Sequence, residues 1–89
     1  MQCYIYRSTR KPGLYIYLPR ADDFSVLPAA LLKQAGALEL ALEIELTADR
    51  KLNREDAASV IDNLLNQGYH LQMPESIKSL LSRFNKSGR

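Results

Sequence analysis

Residues 2–7 and 14–18 alternate side chains with a period of two and are rich in tyrosine and isoleucine, the pattern of half-buried strands. Between them lies Ser8-Thr9-Arg10-Lys11-Pro12-Gly13, a polar connection with a Pro-Gly turn signal at its end. The first eighteen residues therefore read as a β-hairpin. A symmetric loop sets Tyr4 opposite Tyr17, Ile5 opposite Ile16 and Tyr6 opposite Tyr15. All four tyrosines then share one face, and Cys3, Ile5, Leu14, Ile16 and Leu18 share the other.

Further along, Asp22, Asp23 and Ser25 offer capping side chains and Pro28 suits a first helical turn. Leu27, Leu31 and Ala35 recur at helical spacing before Gly36, a C-terminal stop. Leu38, Leu40, Leu42, Ile44 and Leu46 then alternate strictly with Glu39, Ala41, Glu43 and Glu45. Leu, Glu and Ala favour helices, yet the period of two predicts a strand with one apolar face. Asn53 is a suitable cap for a second helix, whose stripe is Ala57, Val60, Ile61, Leu64 and Leu65 and whose stop is Gly68. Residues 69–72 form a short fourth strand. Past Pro74, the spacing of Ile77, Leu80, Leu81 and Phe84 marks a third helix, with a frayed tail over 85–89. The expectation is an α+β fold in ββαβαβα order: a two-layer sandwich whose four-stranded sheet carries helices on one face and leaves the other open. Residues 1–84 make the single domain.

The motifs Cys3-Tyr4-Ile5-Tyr6-Arg7-Ser8, Arg10-Lys11, Tyr15-Ile16-Tyr17-Leu18, Asp22-Asp23-Phe24, Pro28 with Leu31, Arg50-Lys51-Leu52 and Gly68-Tyr69-His70-Leu71-Gln72 stand in this order. Each is common alone, but the ordered set resembles the YcgL domain family of gammaproteobacteria, from the N-terminus to about Pro74. The resemblance implies a small α/β sandwich in a cytosolic bacterial protein and carries over no catalytic residue. At His70 the family pattern leads one to expect a tyrosine.

At 89 residues the chain builds one core and has little room for a deep internal cavity. The net charge of +2 does not by itself imply a polyanionic partner. Its distribution is uneven: residues 1–20 hold four cations and no acid, whereas 21–49 hold six acids against Lys33. Such asymmetry can steer a charged partner, and an ordinary solvated surface also shows it. A single cysteine excludes an internal disulfide framework. No apolar run is long enough to span a bilayer as a helix, and the first residues lack a signal-peptide pattern, so the expected compartment is the cytoplasm, with no membrane partner.

Candidate chemistry is sparse. Cys3 is expected to be a small buried hydrophobe, and His70 has no second histidine with which to build a zinc site. Glu39, Glu43 and Glu45 lie on one predicted strand face, open to water. The glycines at 13, 36, 68 and 88 fit turns, stops and tail, and none forms a phosphate-cradling loop. No catalytic constellation, metal site or cofactor site is read from the sequence. Two interaction readings come first, and an enzyme of unknown type stands third. The first is a non-enzymatic protein-interaction module whose candidate face is Tyr4, Tyr6, Tyr15 and Tyr17, a broad amphipathic surface. That face also suits a homodimer, and tyrosine equally suits half-exposed strands with no partner. The second is a nucleic-acid-binding accessory protein that uses Arg7, Arg10, Lys11, Arg50, Lys51 and Arg54, if the hairpin tip and the second loop gather at one end of the sheet. Two separate solvated loops are the alternative.

Overall fold

β1 (Gln2–Ser8) and β2 (Tyr15–Leu18) are the inner strands of a four-stranded antiparallel sheet in the order β3-β1-β2-β4. β3 (Leu38–Glu45) and β4 (His70–Gln72) form its edges. α1 (Ala29–Ala35) connects β2 to β3, and α2 (Ala57–Asn66) connects β3 to β4. The computed structural model describes residues 1–52 and 55–73. As far as β4, element order and α+β class are those expected from the sequence. The third helix and the 85–89 tail lie outside the described residues.

The hairpin register differs by one residue from the symmetric reading. Tyr4 stands opposite Leu18, Ile5 opposite Tyr17, Tyr6 opposite Ile16 and Arg7 opposite Tyr15. The cause lies in the turn, because Ser8 belongs to the strand: its N–H donates to the Leu14 carbonyl at 3.0 Å. The Ser8 hydroxyl also accepts from the Arg10 and Lys11 N–H groups, at 3.2 and 2.9 Å. Gly13, at φ 90°, then closes a loop one residue shorter than assumed. Side chains alternate with period two, so this single step puts Tyr4 and Tyr6 on one face and Tyr15 and Tyr17 on the other.

β3 is also less regular than its alternation suggests. Leu42 pairs with Ile5 while Leu40 pairs with Tyr6, which leaves Ala41 as the extra residue of a β-bulge. The bulge reverses the parity of the strand. Leu42 and Ile44 follow Ile5 and Cys3 on one side, whereas Leu38 and Leu40 follow Ser8 and Tyr6 on the other. The acids divide in the same way: Glu39 faces with Arg7, Glu43 with Tyr4 and Glu45 with Gln2. They do not line one face.

Both faces of the sheet are covered. Cys3, Ile5, Tyr17, Ile44 and Leu46 form one cluster with Ala57, Val60 and Leu64 of α2. Tyr6, Leu14, Ile16 and Leu18 form a second with Leu27 and Ala35, flanked by Leu31 and Leu32 of α1. The helices therefore contribute to opposite faces, where the sequence suggested one covered face and one open. The register step and the bulge explain this, because they give each side of the sheet its own apolar set. Burying Val60 and Leu64 contributes about 1.5–3 kcal/mol each.

Local signals set the helix ends. α1 starts after Pro28 and stops at Gly36, whose N–H donates to the Leu32 carbonyl at 3.1 Å. Asp22 and Asp23 cap no helix. Asp22 adopts a positive φ of 57°, and Asp23 accepts from the Ser25 N–H and hydroxyl. α2 begins at Asp56, whose carboxylate accepts from the Ser59 N–H at 3.2 Å. The expected cap, Asn53, lies outside the described residues.

Candidate functional site

The four hairpin tyrosines do not form an open face. Tyr6 is buried under α1 and the loop before it, where its ring meets Phe24 edge-on at 5.0 Å and its hydroxyl accepts from the Asp22 N–H at 2.7 Å. Tyr4 is half-buried on the same side. Tyr17 is buried on the α2 side, with its hydroxyl donating to the Gln72 side-chain oxygen. Tyr15 is half-buried beside it, opposite Arg7 and Gln72.

Among the described residues, the basic set does not gather either. Arg7 reaches Glu39 across β3 at 3.1 Å, both side chains being more than half exposed. Arg10 turns toward α1 and donates to the Lys33 carbonyl at 3.0 Å. Lys11 sits exposed in the hairpin turn. The hairpin adjoins the Leu38 end of β3, whereas the chain to Arg50 and Lys51 departs from the Glu45 end, beside Gln2. These two cations then fold onto the α2 side of the sheet. Arg54 lies outside the described residues.

Cys3 is fully buried, as expected, and desolvation pushes its thiol up to about 11. A thiol held protonated in this way is a poor nucleophile. His70 is a buried structural contact. Its Nε2 lies 2.6 Å from Glu55 Oε1, its Nδ1 lies 2.9 Å from Asn63 Nδ2, and its ring meets Tyr17 edge-on at 5.2 Å. With both ring nitrogens engaged, the imidazole has no position left for a reacting group. Among the described residues, no group of three or more His, Cys, Asp or Glu side chains is placed to hold a metal ion. No described helix is long and apolar enough to cross a membrane.

What the fold builds instead is a cleft of about 460 Å³ on the α2 side, between the sheet and the segment around Leu52. Ile5, Leu42, Ile44 and Leu52 supply its apolar floor and wall. Tyr15, Tyr17 and Gln72 supply polar atoms at the β2–β4 end, and Arg50 and Lys51 supply charge. The bulge at Ala41 matters here because it turns Leu42 onto this side, where the side chain stays 53% exposed. α2 covers the sheet around Cys3 and Ile44, and the cleft opens at its margin, where exposed Leu42 adjoins the buried side chains of Ile5 and Tyr17.

The sequence reading identified Tyr15, Tyr17, Arg50 and Lys51 but assigned them to two separate surfaces. It missed the contributions of Leu42, Leu52 and Gln72. No local pattern distinguishes Leu42 from its alternating neighbours, since the bulge that reorients it follows from pairing with β1.

Among the described residues, a four-stranded sheet with one helix to each side defines a small α+β domain. The chain belongs to the YcgL domain family, which matches residues 3–75. It is 54% identical over 74 residues to a YcgL domain-containing protein of Thioalkalivibrio sulfidiphilus, covering 83% of this chain and 91% of the relative. A YcgL domain-containing protein of Stenotrophomonas maltophilia is 45% identical over 83 residues, covering 93% and 96% of the two chains. One of Pseudomonas fluorescens is 47% identical over 72 residues, 81% of this chain and 74% of the relative.

Proposed function

We propose that this YcgL domain is a protein-interaction module whose working surface is the cleft between Leu42, Tyr15 and Arg50. The observation that supports this is the union of one exposed apolar side chain, Leu42, with tyrosine edges and two cations in one recess. Recesses of this kind accept an anchor residue, while their polar rim sets orientation. In this reading Tyr15 and Tyr17 serve the interaction, while Tyr4 and Tyr6 lie on the opposite side of the sheet.

The test is selection of peptides from a displayed random library on the immobilised full-length chain. Selected peptides should shift the amide resonances of residues 5, 15–17, 41–44 and 50–52. Leu42→Asp should abolish their binding, whereas Leu65→Asp, at a side chain 69% exposed on α2, should not. Peptides that bind equally well to folded Leu42→Asp protein would sink the reading.

A further inference from the structure

We infer that the cleft selects an acidic, apolar segment of a partner protein, about three residues long, laid across the strands. This inference rests on the cleft being the working surface, and it specifies what that surface takes.

Charge is the first support. Among the described residues, the lining holds Arg50 and Lys51 and no acid. Both side chains are exposed, and among the described residues neither forms an ion pair. Among the described residues, the Arg50 guanidinium reaches only the Glu45 carbonyl, at 3.4 Å. The acids of the adjacent strand are already engaged: Glu39 by Arg7, Glu43 by the Gln2 side chain at 3.3 Å, and Glu45 by the N-terminal ammonium at 2.6 Å. The charges that line the cleft are therefore positive among the described residues, with Asp49 and Asp56 near them but outside the lining, and complementary charge is what guides a partner to one surface over others.

Dimensions are the second. The floor of the cleft crosses β3, β1 and β2 at Leu42, Ile5 and Tyr17, with Leu42 exposed and the other two buried beneath it. Three strands spaced about 4.8 Å apart span about 10 Å, the length of three residues of extended chain at about 3.3 Å each. An apolar side chain on the Leu42–Ile5 floor leaves flanking carboxylates within reach of the exposed Arg50 and Lys51. The Gln72 amide and the Tyr15 hydroxyl remain for the backbone of the segment.

The experiment measures fluorescence anisotropy of three labelled peptides with the full-length protein: Ser-Leu-Glu-Leu-Glu-Leu-Ser and its counterparts with Gln or Lys at both Glu positions. The acidic peptide should bind roughly three- to tenfold more tightly than the Gln peptide, the scale of one or two exposed charge contacts. That margin should shrink at high salt. Arg50→Glu with Lys51→Glu should reverse the order in favour of the Lys peptide, and Leu42→Asp should abolish binding of all three.

Equal binding of acidic and Gln peptides, still lost in Leu42→Asp, would overturn the charge selection and leave the cleft reading intact. Absence of binding, or binding indifferent to Leu42→Asp, would overturn both. Displacement of the acidic peptide by a short single-stranded RNA at equal concentration would replace the carboxylate segment with a phosphate ligand. The chain continues from Met73, one residue past Gln72 of the cleft. Leu81→Asp is therefore measured alongside, and affinity gained only in that variant would assign the cleft to residues 74–89 of the chain itself.

Discussion

The imidazole of His70 in β4 meets the carboxylate of Glu55 at 2.6 Å, with the two side chains only 11% and 8% exposed. The contact ties the second edge strand to the segment that leads into α2, and Asn63 completes it from within the helix. His70→Ala removes the central member, so that the Glu55 carboxylate and the Asn63 amide each lose one hydrogen bond. The expected cost is about 2–4 kcal/mol, a fall of roughly 10–20 °C in Tm for a domain of this size. Calorimetry of the variant beside the parent chain checks it. A change below about 0.5 kcal/mol, the ordinary surface range, would show that the contact carries no stability.

Gly36 is the second point of leverage. Its φ of 68° and ψ of −146° lie in a region essentially confined to glycine. A Cβ there would also approach within 3.2 Å of the Arg10 Cβ, whose side chain runs on to the Lys33 carbonyl. Gly36→Ala should destabilise the chain by about 1–3 kcal/mol and accelerate amide exchange at Leu32 and Ala35. Urea unfolding and exchange by NMR read the two effects.

The burial of Cys3 makes a prediction about alkali. Its thiol is raised by desolvation to about 11 from the ordinary value of 9.0. The folded state therefore holds this proton where the unfolded state has released it. The associated stability is complete below pH 9 and is lost as pH rises through 11, by about 2–3 kcal/mol in all. Cys3→Ala should unfold less steeply with pH over this interval than the parent chain. In the same experiments the thiol should resist a disulfide reagent at pH 8 until urea unfolds the protein.

Tyr6 predicts a spectroscopic signature. Desolvation foremost, with the neighbouring Asp22 charge, raises its phenol above the usual tyrosine range. A titration at 295 nm should lose an ionisation step above pH ~10 when Tyr6 is replaced by phenylalanine. The stability linked to the protonated phenol is present below the unfolded value and disappears as pH rises through the folded one. Tyr6→Phe also deprives the Asp22 N–H of its acceptor, at about 1–2 kcal/mol.

Much of the fold was legible because periodicity is local. The strands over 2–8, 15–18 and 38–45, the stripe of α2 and the stops at Gly36 and Gly68 all follow from neighbours within a turn or two. What escaped was set by pairing between strands. The hydroxyl of Ser8 absorbs two loop amides and shortens the hairpin loop, and Ala41 bulges against β1. Neither event leaves a mark on hydrophobic patterning, yet together they divide the tyrosines and the glutamates between two sides. Residue types of the site were therefore readable from the sequence, while their grouping was not.

A sheet covered on both sides also changes how an error in strand alignment is detected. In a sheet with one wet face, a slip of one residue forces apolar groups into water and is rejected for that reason. Between two apolar layers the same slip merely exchanges one layer's side chains for the other's. Discrimination must then come from groups with only one acceptable address. The hydroxyl of Tyr6, which needs Asp22, and that of Tyr17, which needs Gln72, are such groups on opposite sides of the hairpin. The tyrosines thus act as proofreading marks for alignment, and their spacing in the hairpin is as informative about folding as about binding.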